Sequence, residues 1–490
     1  MNLSQSERRP APERLVPDVI VIGSGPGGAV TATRCAEAGK SVLMLEEGPH
    51  LSLDSAPHFS REEILQKYRN AGVNIGFGAT KIAYVEGRCV GGGSEINRGL
   101  YHRTSSSVLD RWAKDYRVDA LSLEELVPHF DACEAVARVE YLPGPAPQLS
   151  VRLDEGARRL GWSSLEVPRL YAYAAGAAGG APGRKQSMSE TFVPRFLQAG
   201  GMLMPETCAT KLTQSNGQWL VQARSNGAGG PRQIELKAKT VFIAGGAVQT
   251  PWLLRRSGIT RHVGDSLRFH PMLKVVAVFP DELNTPGELE PVHQIKEFDP
   301  RFSMGCSMSK RPALALAMAA HPDMIDTVDQ DWRRMAIYYV QSTGGSGKVR
   351  SLPGFRDPLV RVGLQPADLK ELADGLARLA EVLFAAGALA VYPSIPGYPV
   401  LRSLADIARL PETLPPKQAN ATALHLFSSC PMGENAEKCA ANSFGRVHGA
   451  TNLYIADASL LCGPTVVNPQ GTVMAVAHRN VTRALEDRAI

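Results

Sequence analysis

The chain has 490 residues, 44% of them hydrophobic and 21% charged, with a net charge of +5. That balance excludes a disordered, collagen-like or coiled-coil protein, and at roughly 100–200 residues per domain it predicts a globular protein with a large core. No apolar run approaches the ~18 residues of a membrane span, and the dispersed basic residues give nucleic-acid binding no support.

Met1 to Pro17 is polar, with no apolar leader core. Residues 1–16 are expected to be a flexible tail on a cytoplasmic protein. The first structured stretch is more informative. Val19-Ile20-Val21-Ile22 is a β-branched run, as expected of a buried parallel strand. Gly23-Ser24-Gly25-Pro26-Gly27-Gly28 follows. Ala29 to Ala38 reads as a helix of small residues stopped by Gly39, and Ser41 to Leu45 as a second strand with Glu46 at its end. This is a βαβ unit with GxGxxG at the strand-to-helix turn. Gly23 permits the tight turn, Gly25 lets a pyrophosphate approach the backbone, and Gly28 lets helix and strand pack closely. The helix N-terminus offers free N–H groups to phosphate. Glu46 is placed to accept hydrogen bonds from ribose hydroxyls. The unit by itself leaves FAD and NAD both open.

Farther along, Gly87 to Gly99 is a second Gly-rich segment, with Gly91-Gly92-Gly93 able to lie flat against a large partner. Ala174 to Gly183 is Ala/Gly-rich and reads as a mobile loop. Val241 to Ala247 is another buried-strand run ending in glycines. Thr250-Pro251 is expected to open a helix with Pro in its first turn, stopping near Ser257-Gly258. Asp368 to Ala386 reads as one amphipathic helix with Leu369, Leu372, Leu376, Leu379 and Leu383 on one face, stopped by Gly387, and that stripe reads as core. Asn468-Pro469 begins a last helix, Pro469 to Glu486, in a pattern that also suits an ordinary N-cap. The eight cysteines form no CxxC and read as reduced thiols. No clustered ligands suggest a metal.

These pieces resemble the glucose–methanol–choline (GMC) family of FAD-dependent alcohol oxidoreductases. Gly87 to Arg103 is similar to its first signature. Gly246 to Ile259 is similar to its second, with Thr260 where Gly is usual. Val263 to Pro271, the run His425-Leu426-Phe427-Ser428-Ser429-Cys430-Pro431-Met432-Gly433, and Gly445 to Arg483 resemble later family segments.

The resemblance implies an α/β fold: a Rossmann-like FAD-binding domain (17–144, 185–270 and 425–490) and a substrate domain built around an antiparallel sheet (145–184 and 271–424). It implies FAD contacts from Gly23, Gly25, Gly28, Glu46, Arg88, Gly92, Gly93, Asn97, Ala209, Asp457, Asn468 and Pro469. Asn97 would lie beside the isoalloxazine, Asp457 near the ribityl–pyrophosphate, and Ala209 would meet the adenine through its backbone. Ile96 stands where covalent members carry a His, so FAD is expected to be non-covalent.

The family motif makes His425 the base for the hydroxyl proton, with hydride passing to flavin N5, and makes Asn468 the residue that orients the alcohol oxygen. His102, His270 and His448 read as satisfied polar residues. The expected partner is a small alcohol, with O2 or another electron acceptor. Val467-Asn468-Pro469 resembles the sterol and long-chain-alcohol branch. Pro353 to Leu359 and Tyr392 to Gly397 resemble bacterial enzymes that oxidise hydroxymethyl groups of aminoglycoside precursors in antibiotic biosynthesis. A NAD(P)-dependent reductase and a non-oxidative flavoprotein on the same fold are the competing functions.

Overall fold

A computed structural model describes residues 16–173, 183–226, 230–285 and 291–490. The expected tail, except Val16, and the expected loop, except Gly183, lie outside the described residues.

In chain order, the elements that position the site are β1 (Val19–Ile22), α1 (Pro26–Glu37), β2 (Val42–Leu45), β3 (Met202–Met204), β4 (Thr240–Ile243), α2 (Gly246–Arg256), β5 (Leu267–Val278), β6 (His293–Ile295), β7 (Phe302–Ser307), β8 (Met335–Ser342), α3 (Pro366–Ala385), β9 (Asn420–Phe427), β10 (Leu453–Ile455) and α4 (Gln470–Glu486). Two sheets dominate. The first is five-stranded and parallel, in the order β10-β4-β1-β2-β3. β1, β2 and β4 are buried at every position, as continuous apolar runs covered on both faces should be. The second has eleven strands. Its centre is the antiparallel series β9, β5, β8, β7, β6. Lys81–Tyr84 joins it in parallel along β9.

The small residues at the α1 turn are forced by packing. A Cβ on Gly28 would stand 2.0 Å from the Gly23 carbonyl oxygen, and one on Gly27 would stand 1.9 Å from the Ala456 oxygen. Gly23 itself sits at φ +104°, where L-residues are strained. α3 carries its leucine stripe inward, with Leu372, Leu379 and Leu383 fully buried. It lies so close to the large sheet that a Cβ on Gly375 would be 2.5 Å from Val340. It ends at Ala385, with Gly387 at φ +91°, as the sequence predicts.

Two helix starts differ from expectation. α2 begins at Gly246, so Pro251 lies inside the helix rather than in its first turn. Pro251 has no N–H for the carbonyl of Ala247, four residues back. The Ser429 hydroxyl donates to that carbonyl instead, at 2.6 Å, and α2 continues. α4 begins at Gln470, with Pro469 as the capping position and no side-chain cap. Asn468 is therefore not a helix cap. Among the described residues no disulfide is formed. Among the described residues no helix is long and apolar enough to cross a membrane, and no cluster of His, Cys, Asp and Glu is arranged for a metal ion.

Candidate active site

The nucleotide side is built from two glycine turns set back to back. A Cβ on Gly92, at φ +55°, would lie 3.0 Å from the Gly25 Cα, whereas Cβ atoms on Gly25 and Gly93 would meet nothing within 4 Å. Gly25 is thus not glycine for packing; it leaves space beside the first turn of α1, which carries no acidic residue and no side-chain cap. That open volume at exposed N–H groups fits a pyrophosphate. Ser24 ties the two turns together. Its hydroxyl donates to Glu46 Oε2 at 2.7 Å and accepts from the Gly91 N–H at 3.0 Å. Glu46 also takes the N–H of Ser24 at 3.1 Å and of Gly48 at 2.8 Å. Burial raises its carboxyl pKa, against the pull of these donors.

The other predicted cofactor residues have clear local duties. Asp457 accepts from the Gly246 N–H at 2.9 Å, the Thr250 hydroxyl at 2.5 Å and the Ser459 N–H at 2.8 Å. It therefore anchors the start of α2. Arg88 pairs with Glu47 at 3.3 Å. Ala209 sits at a register shift in the strand Thr207–Ser215. The Asn97 side chain donates to Gln470 Oε1 and accepts from the Gly99 N–H, so the glycine-rich segment is fastened to the first turn of α4.

His425, on β9, and Asn468, just before α4, are brought together: Asn468 Nδ2 lies 3.3 Å from His425 Nε2. The hydrogen bonds set the tautomer. Gln341 Nε2 donates to His270 Nδ1 at 3.2 Å, so that nitrogen is an acceptor. His425 Nδ1, 3.1 Å from it, must then carry the proton. His425 Nε2 is left as an acceptor, toward which the Asn468 amide donates. Burial, aided by the Lys296 ammonium, pushes the His425 pKa down to about 4, so the ring is neutral at pH 7.

Around the pair, Gln294 Nε2 donates to the Tyr339 hydroxyl at 3.0 Å and lies 3.5 Å from Asn468 Oδ1. Gln294 Oε1 lies 3.1 Å from His102 Nε2. His448 is satisfied by the Gly433 carbonyl at 3.1 Å, as expected. His270 is not fully satisfied: it is buried against His425 and its Nε2 has no partner. Gln294, Tyr339, Gln341, Lys274 and Lys296 were missed by sequence reading. Their signal is faint but real: single polar residues at alternate positions of otherwise apolar strands.

The chain matches the GMC oxidoreductase N-terminal family model over residues 18–272 and the C-terminal one over residues 346–477. It is 36% identical to the GMC-type oxidoreductase y4nJ of Sinorhizobium fredii over 96% of this chain and 95% of that protein. It is 24% identical to the long-chain-alcohol oxidase FAO4A of Arabidopsis thaliana, over 94% of this chain and 67% of that one. The structure of pyridoxine 4-oxidase from Mesorbium loti superposes with a TM-score of 0.70 at 16% identity, covering 96% of this chain and 99% of that chain. The chain belongs to the GMC oxidoreductase family, whose members are FAD flavoproteins and include alcohol oxidases and dehydrogenases. The ambiguity of the βαβ unit is thereby resolved toward FAD.

Proposed function

We propose that the protein oxidises an alcohol to a carbonyl compound, with His425 Nε2 accepting the hydroxyl proton and Asn468 holding the oxygen. Bound FAD, held non-covalently, supplies the acceptor for the hydride that leaves the carbinol carbon. The observation that carries the reading is the acceptor Nε2 of a neutral, half-buried His425, 3.3 Å from the Asn468 amide. An alcohol oxygen set beside the two, in place of their direct bond, can accept from Asn468 Nδ2 while its proton passes to Nε2. His270 and Gln341 hold the imidazole in that tautomer. The backbone around Gly25 and Gly93, with Glu46 and Asn97, cradles the dinucleotide. Segments 17–144, 185–270 and 425–490 serve the cofactor, and 145–184 and 271–424 cover the substrate.

The test is His425→Ala. It should keep its yellow flavin and lose about 10²–10⁴ in anaerobic flavin reduction by alcohol. The wild-type rate should stay level as pH falls from 7 and drop only near the His425 pKa of about 4. Base activity is present above a depressed pKa and lost below it. Near-normal reduction in a folded, flavin-bearing His425→Ala protein would overturn the assignment. Flavin that no alcohol reduces in the wild type would point instead to a non-oxidative flavoprotein.

A further inference from the structure

The sheet register sets four residues level across the face that bears the site. Gln294 on β6 pairs with Gly305 on β7, Gly305 with Tyr339 on β8, and Tyr339 with Lys274 on β5. Directly opposed residues share a face of the sheet. Tyr339 and Gln294 are joined through their side chains, so Lys274 belongs to the same face as the catalytic network. Gly305 makes this row possible: a Cβ there would stand 2.3 Å from the Tyr339 hydroxyl, so glycine lets the ring cross toward Gln294. Lys296 follows Gln294 by two residues, and its charge bears on His425, His270 and His102.

Among the described residues, cations predominate on this face. The Lys274 ammonium has no hydrogen bond or ion pair among the described residues, and the charged group that bears on it is Arg98, another cation. Tyr339 also feels Arg98. The carboxylate that bears on Lys296 is Asp299, at 4.0 Å. Burial pushes the Lys274 ammonium down to about 8, so it is mostly charged at pH 7. Lys274 is half-buried, and a partly desolvated ammonium without a carboxylate gains when an anion joins it. Strand rise of ~3.4 Å per residue puts Lys274 about 14 Å along β5 from His270. At that distance its ammonium can reach the far end of a molecule bound at His425, not the reacting carbon.

Resting on the alcohol-oxidation reading, we propose that the substrate is an alcohol bearing a distal carboxylate or similar anionic group, which Lys274 pairs with and Lys296 and Arg98 favour electrostatically. An amino sugar, cationic at neutral pH, meets repulsion on the same face.

The test uses holoenzyme and matched series: 6-hydroxyhexanoate, hexanol and 6-aminohexanol, and 4-(hydroxymethyl)benzoate, its methyl ester and 4-(aminomethyl)benzyl alcohol. In at least one series the carboxylate should reduce the flavin about 10–100-fold more efficiently than its neutral and ammonium counterparts, as a charge-assisted contact implies. Lys274→Met should bring that preference to within about twofold, and Lys274→Arg should retain it. Adipate should raise the melting temperature of the holoenzyme and hexane-1,6-diammonium should not; Lys274→Met should abolish the adipate shift. Adipate affinity should fall as pH rises through about 8, where Lys274 loses its proton. Tyr339 and His270 stay neutral there.

Equal or better turnover of the ammonium alcohols would overturn the proposal. So would an undiminished carboxylate preference in a folded Lys274→Met protein. If no alcohol of either series reduced the flavin, the alcohol-oxidation reading would be in question, while the adipate arm would still decide what Lys274 binds.

Discussion

The nucleotide side and the substrate face of this molecule are specified by opposite means. Around β1 and α1 the constraint is the absence of atoms: Gly23, Gly27 and Gly28 are glycine because a neighbouring carbonyl stands within 2.3 Å of where a Cβ would be. On the large sheet the constraint is the presence of side chains, levelled by register across β6, β7, β8 and β5 and joined through Gln294 to Asn468 and His425. The first arrangement lies within about thirty consecutive residues. The second draws on residues from positions 98 to 468. A backbone cradle tolerates little substitution and recognises a cofactor shared by a whole family. A side-chain face can change one residue at a time, which is where substrate choice can diverge.

The largest expected effect separates two glycines of one motif. Gly25 has open space at its Cβ position, whereas Gly28 does not. Gly25→Val should fold with a near-normal melting temperature and purify colourless, because the valine fills only the phosphate path. Gly28→Val should lose the fold, seen as insoluble protein or a collapsed thermal transition, because it drives into the Gly23 carbonyl. Stoichiometric flavin in folded Gly25→Val would place the pyrophosphate elsewhere and remove the contrast between the two glycines.

That contrast also explains what could be read from sequence. The βαβ unit was legible because a tight turn, a close helix and a phosphate path each demand glycine at a fixed offset. The leucine stripe of α3 was legible for the same reason of local periodicity. Helix starts were less so: Pro251 suggests a first turn until Ser429, 178 residues away, is seen to supply the missing hydrogen bond. The substrate face was nearly silent. Lys274 and Gln294 mean little singly, since nothing in the chain between them says that Gly305 and Tyr339 will set them on one rung. His270 was read as merely satisfied for the same reason, its contact with His425 depending on the pairing of β5 with β9.

A smaller effect is expected at Asn468, where the two sides meet. It precedes α4 without capping it, and its amide reaches His425. Asn468→Ala should slow anaerobic flavin reduction by about 1–3 kcal/mol, the worth of one buried hydrogen bond to the reacting oxygen. The melting temperature of the flavin-bearing protein should hardly move. The reverse pattern, lower stability with an unchanged reduction rate, would show that Asn468 serves α4 rather than the alcohol, and would leave His425 without a partner for the oxygen.

The smallest effect concerns the residue that joins the two regions. Ser429 follows His425 by four residues and donates to the Ala247 carbonyl of α2, the bond that Pro251 cannot make. Its own carbonyl accepts from the Gly264 N–H at 2.6 Å, so the loop after β9 is fastened on both sides. Ser429→Ala should cost about 1–3 kcal/mol in denaturant unfolding, because the buried Ala247 carbonyl is left without a donor. Flavin content and reduction rate should be preserved. Pro251→Ala restores a backbone N–H four residues after Ala247, so in that background the serine hydroxyl becomes dispensable. The double-mutant cycle should therefore show coupling on the order of 0.5–3 kcal/mol between two positions far apart in sequence. Strict additivity would mean that the carbonyl is satisfied some other way, and that the serine in the histidine motif is tied to the catalytic side alone.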